Sequence, residues 1–287
     1  MFERAIAGAK LAFRLQPPGR NLTVFPDDAF LVSYPKSGNT WARFLIACVL
    51  RPGQTVGFAN INEIIPGADV VRHRDLLRMP RPRIVKSHQY FDPRYRRVIY
   101  IVRDPRDVAV SQYHFQRKRG FIADDYLLED FVDDFVAGRT CDYASWGEHV
   151  ASWISTRSGQ TEFLLLRYED MLRNTVSELS RIVSFLRLDT TPEVIREAVL
   201  RSSADKMRQI EKSQAQSFNG TRNTRQDITF VRAASSGGWR ANLPGNSVAK
   251  IESAWGPLIN YLGYELTTRP VSANSATLFN VQEKLAV

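Results

Sequence analysis

The chain has little of several things that would narrow its class at once. Only two cysteines and four histidines occur in 287 residues. Cys48 and Cys141 stand far apart, outside any CxxC or Cys/His cluster, which argues against a disulfide framework or structural zinc site and fits a reducing cytoplasm. No apolar run reaches the roughly 18 residues a membrane span needs, and no small-residue cleavage site follows a long apolar stretch at the N-terminus. Repeats, low-complexity tracts and Pro/Ser-rich linkers are also missing, so nothing marks a domain boundary. Residues 1–287 read as one domain.

What is present is an ordinary globular composition, 44% hydrophobic and 24% charged, able to build a full core. The formal net charge of +9 calls for an anionic partner. Nucleic acid would ask for a basic stripe interleaved with aromatics, whereas the basic residues here are dispersed, with short clusters at 72–74 (RHR), 94–97 (RYRR) and 117–119 (RKR). A small anion held by a few convergent groups fits better, and no nucleic-acid partner is expected. In FERAIAGAKLAFRL at 2–15, Phe2, Ile6, Ala9 and Phe13 can share a helical face opposite Arg4, Lys10 and Arg14. An ordinary packed helix is the expectation there, with peripheral membrane contact as the alternative.

Hydrophobic periodicity alternates along the chain. Short apolar runs suited to buried strands lie at 29–34 (AFLVSY), 83–88 (RIVKSH), 97–102 (RVIYIV) and 162–166 (EFLLL), and helical patterns fill 39–53, 105–118, 144–157, 172–187, 192–200 and 247–262. This alternation predicts an α/β fold, a three-layer domain around a central, mainly parallel sheet.

Three constellations fall at ends of the expected strands. In SYPKSGNTW at 33–41 a strand runs through a polar turn into a helix, a geometry that aims backbone N–H groups and a helix dipole at an anion. Gly38 lets the backbone approach closely, Lys36 adds charge, and Ser37, Asn39 and Thr40 add donors. The plainer alternative makes Asn39 a helix cap and leaves Lys36 in solvent. The kinase signature GxxxxGK[ST] is absent, because Lys36 precedes the glycine and no second glycine lies upstream. The second constellation is KSH at 86–88, where Lys86 and His88, two apart on a strand, face one way as an electrostatic clamp beside a base. The third is RDPRDVAVSQYHF at 103–115, where Arg103 offers a planar fork for phosphate and Ser111 a further donor. A structural reading of it has Asp104 capping a helix, Pro105 in its first position, and Arg103 and Arg106 in surface ion pairs.

With YEDM at 168–171 and RAASSGGWR at 232–240, these motifs in this order resemble the cytosolic-type sulfotransferases that use 3′-phosphoadenosine 5′-phosphosulfate (PAPS), over roughly residues 28–265. The resemblance implies that the turn Lys36, Ser37, Gly38, Asn39, Thr40 holds the 5′-phosphosulfate, with Lys36 neutralising the bridging oxygen and Trp41 stacking on adenine. It implies that Arg103 and Ser111 grip the 3′-phosphate and that Ser111 also contacts the turn lysine to restrain hydrolysis. His88 would take the proton of the acceptor hydroxyl, Lys86 would steady the sulfuryl group, and Tyr168 would touch adenine. For Trp41 and Tyr168 taken alone, core packing is an equal reading. Sulfuryl transfer is a matter of in-line positioning and charge stabilisation, and a lysine can serve the leaving group where kinases use a metal, so no metal is required.

The chain departs from the family pattern in places. The C-terminal phosphate loop keeps Arg232, Gly237, Trp239 and a basic Arg240 but has Ala233 and Ala234 for the usual Lys-Gly pair, which implies a lost phosphate contact. Ala204 stands where the family offers an aromatic to adenine, though Met207 remains. Pro244 and Gly245 fall where the family carries a dimer motif, which leaves the oligomeric state open. Segments 52–82, 119–145 and 209–230 are the expected acceptor walls, mixing Phe58, Phe121, Tyr126, Phe131, Tyr143 and Phe218 with polar groups. The expected acceptor is a small hydrophobic alcohol or phenol, with a sugar or lipid hydroxyl as the alternative. A P-loop-like kinase would need a strand-end carboxylate for its metal, for which Asp104 is the candidate, flanked by arginines. A non-catalytic anion or nucleic-acid binder would work without His88.

Overall fold

The computed structural model describes residues 22–268. Strand β1, Ala29–Ser33, has all five residues buried and runs between β2, Ile84–Ser87, and β3, Arg97–Val102, with β4, Phe163–Arg167, outside β3. All three strand pairs are parallel, aligning Val32 with Ser87, Ser33 with Ile101 and Val102 with Arg167. The expected α/β fold with a parallel sheet is therefore what the chain forms.

Period-2 alternation splits the core in two. Phe30 and Val32 of β1 join Val98, Tyr100 and Val102 of β3 on one face, while Ala29 and Leu31 join Ile99 and Ile101 on the other. Helix α1, Asn39–Leu50, covers the second face with a later group of helices. After α2, Ile61–Ile64, and α3, His73–Leu77, the first face is covered by α4, Pro105–Arg119, α5, Leu128–Val136, and α6, Trp146–Arg157. The region read as one helix at 172–187 is two, α7, Tyr168–Arg173, and α8, Thr175–Leu186, followed by α9, Pro192–Arg201, and α10, Ala204–Gln214. A short α11, Trp239–Asn242, precedes α12, Gly245–Tyr261, which returns to the first face. The amphipathic reading of residues 2–15 lies outside the described residues.

Besides the short α2, α3 and α11, two longer helices were not expected. LEDFVDDFV forms α5 within the expected acceptor wall at 119–145, burying Phe131, Val132 and Phe135. The polar α10 buries only Met207 and Glu211, too thin an apolar stripe to stand out. At α4 the expected cap is present: Asp104 accepts from the backbone N–H of Arg106 at 2.9 Å with Pro105 at the start. Arg106, however, is no surface residue. Its guanidinium is buried between Asp104, at 2.7 Å, and Glu252, at 2.5 Å.

Because consecutive strands are parallel, the residues that follow them, namely Lys36, His88, Arg103 and Tyr168, gather at one edge of the sheet. The chain leaves β1 toward β2 on one side and reaches β3 on the other, so the edge beside β1 is a topological switch point, where such sheets form their crevices.

Candidate functional site

The turn after β1 is shaped by backbone needs. Gly38 caps α1 at φ 93°, and a β-carbon there would lie 2.4 Å from the ring of Tyr168. Gly38→Ala combines left-handed strain with that clash, so a loss of about 2 kcal/mol in stability is expected, read by denaturant unfolding. Asn39 is not the cap: its amide donates to the carbonyl of Leu31 and to Ser33 Oγ, both at 3.2 Å, tying the turn to β1. Ser37 Oγ is buried and has no partner among the described residues. The Trp41 indole donates to the Ser202 carbonyl at 3.0 Å and meets the Tyr168 ring edge-on at 5.9 Å.

Lys36 is not in solvent. Its backbone is left-handed at φ 69°, and its ammonium sits 4.3 Å from the ring centres of both Phe115 and Phe230. Burial, then the charges of Arg103 and Arg232, lower its pKa to about 7. Arg103 donates to the carbonyls of Lys36, at 3.1 Å, and Ser235, at 3.0 Å, lies over the Tyr168 ring at 4.4 Å, and keeps a buried Nε without a partner. Asp107, one turn along α4, accepts from the backbone N–H groups of Gly237 and Trp239, which draws the 232–240 loop over the site.

In that loop Ala234 takes φ 49°, a left-handed conformation that suits the glycine implied by the resemblance. Ala234→Gly is expected to stabilise the protein by about 1 kcal/mol, measured as a raised unfolding midpoint. Ala233, Ala234, Arg232, Ala204 and Met207 all line the cavity. Ser111 is half-buried on α4 outside the cavity wall, and Ser37 is likewise not part of the lining.

Across the cavity, Lys86 donates to both oxygens of Asp69, at 2.9 and 3.0 Å. Burial lowers the Lys86 pKa against the pull of Asp69; burial raises that of Asp69, but the charges of Lys86 and His88 and the hydrogen bonds to the carboxylate together outweigh it and hold the carboxyl at about 2. Asp69→Asn strands a buried ammonium, so a loss of about 3 kcal/mol at neutral pH is expected. The depressed carboxyl contributes stability above the ordinary aspartate range and loses it as pH falls toward about 2, so the deficit should shrink with acid in unfolding measurements.

His88 Nδ1 lies 2.7 Å from the Ser33 carbonyl, which can only accept, so Nδ1 carries the proton and Nε2 keeps its lone pair. Burial first, and the Lys86 charge second, hold the ring well below the usual histidine range. The His88 carbonyl accepts from His149 Nε2 at 3.0 Å, leaving His149 Nδ1 to accept from the Tyr100 hydroxyl at 2.9 Å. Tyr143 stands with its ring centre 5.8 Å from that of His88.

Both groups open into one cavity of about 1240 Å³, lined by Lys36, Lys86, His88, Arg103, Tyr168 and Arg232 together with Phe121, Phe131, Tyr143 and Phe218. The arrangement pairs a turn bearing an ammonium group with a neutral imidazole. Asp104 is unsuited to a metal, since Arg106 occupies its carboxylate, and the described residues contain no group of three or more metal-ligating side chains. Asp69, Phe115, Phe230 and His149 belong to the site, and sequence reasoning did not single them out.

A family model described as the sulfotransferase domain matches residues 26–262. Among curated proteins, the chain is 31% identical over 224 residues to 3-beta-hydroxysteroid sulfotransferase of Cavia porcellus, covering 75% of this chain and 77% of that one. It is 29% identical over 231 residues to sulfotransferase 1B1 of Canis lupus familiaris, with the same coverage, 75% and 77%. Among solved structures, the mouse sulfotransferase SULT7A1 complexed with PAP superposes with a TM-score of 0.69 at 24% identity, covering 84% of this chain and 88% of that one. Retinol dehydratase in complex with retinol and PAP gives 0.66 at 21% identity, covering 87% and 85%. At these identities the two structures speak for the fold alone.

Proposed function

The chain belongs to the sulfotransferase family and is a sulfotransferase; on that premise we propose that its donor is PAPS and its acceptor the hydroxyl of a small hydrophobic alcohol or phenol. The observation that carries this reading is the opening of Lys36 and His88 into one cavity from the ends of two neighbouring parallel strands, with one ring nitrogen of His88 free.

The donor supplies an activated sulfuryl group on a polyanionic nucleotide. Lys36, Ser37, Gly38, Asn39 and Thr40 hold its 5′ end, with the Lys36 ammonium on the bridging oxygen where charge grows as the sulfur–oxygen bond breaks. Ser37 Oγ and Arg103 Nε, both buried without partners, are donors that phosphate oxygens would satisfy. Arg103, Arg232, Ala233 and Ala234, which line the cavity, hold the 3′-phosphate, and Trp41, Tyr168 and Met207 enclose adenine; Ser111, outside the cavity wall, takes no part in this reading. His88 Nε2 takes the acceptor proton while the acceptor oxygen forms its bond to sulfur, and Lys86 steadies the group in transit. The charge is supplied by lysine and arginine, so the reading needs no metal.

The Cavia porcellus relative is named for a hydroxysteroid and retinol dehydratase was solved with retinol, and the aromatic wall of this cavity suits an apolar acceptor of the same kind. We take residues 1–287 as one domain. The free thiols of Cys48 and Cys141, and the want of any helix among the described residues long and apolar enough to cross a membrane, support a cytoplasmic setting. Incubation with radiolabelled PAPS and a panel of phenols, aliphatic alcohols, sterols and sugars tests the acceptor: label should move to apolar hydroxyls. Label on sugars alone would replace the acceptor class, and phosphate transfer from ATP would replace the reaction.

A further inference from the structure

A lysine partly withdrawn from water, as Lys36 is, normally finds a carboxylate or a hydrogen-bond acceptor. The Lys36 ammonium has no hydrogen bond or ion pair among the described residues and lies instead between two ring faces, each centred 4.3 Å away. The charged groups that act on it are Arg103 from the end of β3, Arg232 from the loop before α11, Lys118 from α4, and Glu211 from α10, the last alone favouring its charge. The rings are held from several sides. Phe115 projects from α4, and Phe230 packs on it with ring centres 5.9 Å apart, with Phe218 at 5.6 Å and Phe58 at 6.2 Å behind. Glu211 accepts from the backbone N–H of Phe230, at 2.6 Å, and of Val231, at 2.9 Å. Lys118 donates to the carbonyls of Arg225, at 2.8 Å, and Ile228, at 2.7 Å, fixing the segment that carries Phe230.

We propose that Phe115 and Phe230 are positioning residues that cradle the Lys36 ammonium by cation–π attraction, keeping it charged and aimed into the cavity while leaving it without a counter-ion that an incoming sulfate or phosphate ester oxygen would have to displace. The inference rests on the donor reading above. A carboxylate in the same place would hold the charge but compete with the donor, whereas a ring face stabilises the cation and yields it at little cost.

The test follows Lys36 itself. Competitive acetylation of the free protein, read by mass spectrometry across pH, should place the Lys36 midpoint near neutrality, and Phe230→Leu, which keeps the apolar bulk without the π face, should move it down by about one pH unit. Phe230→Tyr should restore it, and Phe115→Leu should act in the same direction. Calorimetric titration with 3′-phosphoadenosine 5′-phosphate provides the second reading: wild type and Phe230→Leu should differ little near pH 6 and by about tenfold near pH 8, because one unit of pKa is tenfold in the charged fraction. An unmoved midpoint in Phe230→Leu, a shift that Phe230→Tyr fails to reverse, or a binding loss equal at both pH values overturns the cradle. Absence of nucleotide binding by wild type overturns the donor reading instead, and the acetylation midpoint still decides the cradle.

Discussion

His88→Ala is expected to abolish sulfuryl transfer, by about a thousandfold or more, while leaving binding of 3′-phosphoadenosine 5′-phosphate nearly unchanged. The reason is positional. His88 follows β2, its Nδ1–H donates to the Ser33 carbonyl, and its own carbonyl accepts a hydrogen bond from His149 Nε2, so the ring contributes a free Nε2 and nothing to the turn after β1. Burial and the Lys86 charge keep the imidazole neutral well into the acid range, so the wild-type rate should hold as pH falls through the ordinary histidine value, where an exposed histidine base would lose it. A pH–rate profile of kcat/KM checks the second half, and calorimetry on the variant checks the first. Retained turnover in His88→Ala would remove the residue from the proton-transfer role.

Lys36→Ala should damage both binding and rate. Loss of one charge-assisted contact to a phosphate costs on the order of tenfold to a hundredfold in affinity. The bridging oxygen gains charge in the transition state, so a further hundredfold or so should disappear from kcat. Steady-state kinetics beside calorimetric titration separate the two losses. A rate that falls only as far as the affinity would mean that Lys36 binds the donor equally in the ground and transition states.

Much of this site could be read from the sequence because its parts are local. A strand that runs into PKSGNTW announces both the turn and the helix, and parallel strands bring Lys36, His88, Arg103 and Tyr168 to one edge whatever the details of packing. Partnerships across the fold leave no such mark. Asp69 looks like any loop acid until Lys86 is placed beside it, and Phe230 looks like a core aromatic until the loop that bears it is clamped by Glu211 and Lys118. The helix at Leu128–Val136 carries a signal, apolar residues at 131, 132 and 135 amid acids, although the expected helical segments pass over it and 119–145 is taken only as an acceptor wall. Asn39 shows the limit of cap rules: a glycine one place earlier takes the cap because only there does φ reach 93°.

The central claim is that the cavity holds a nucleotide carrying a 3′-phosphate. Calorimetric titration of the wild-type protein with 3′-phosphoadenosine 5′-phosphate, AMP and Mg·ATP in parallel tests it without knowledge of the acceptor. Tight binding that is lost on removing the 3′-phosphate is the expected result. Preference for Mg·ATP, or equal affinity for AMP, would contradict the donor assignment and the roles given to Arg103 and Arg232.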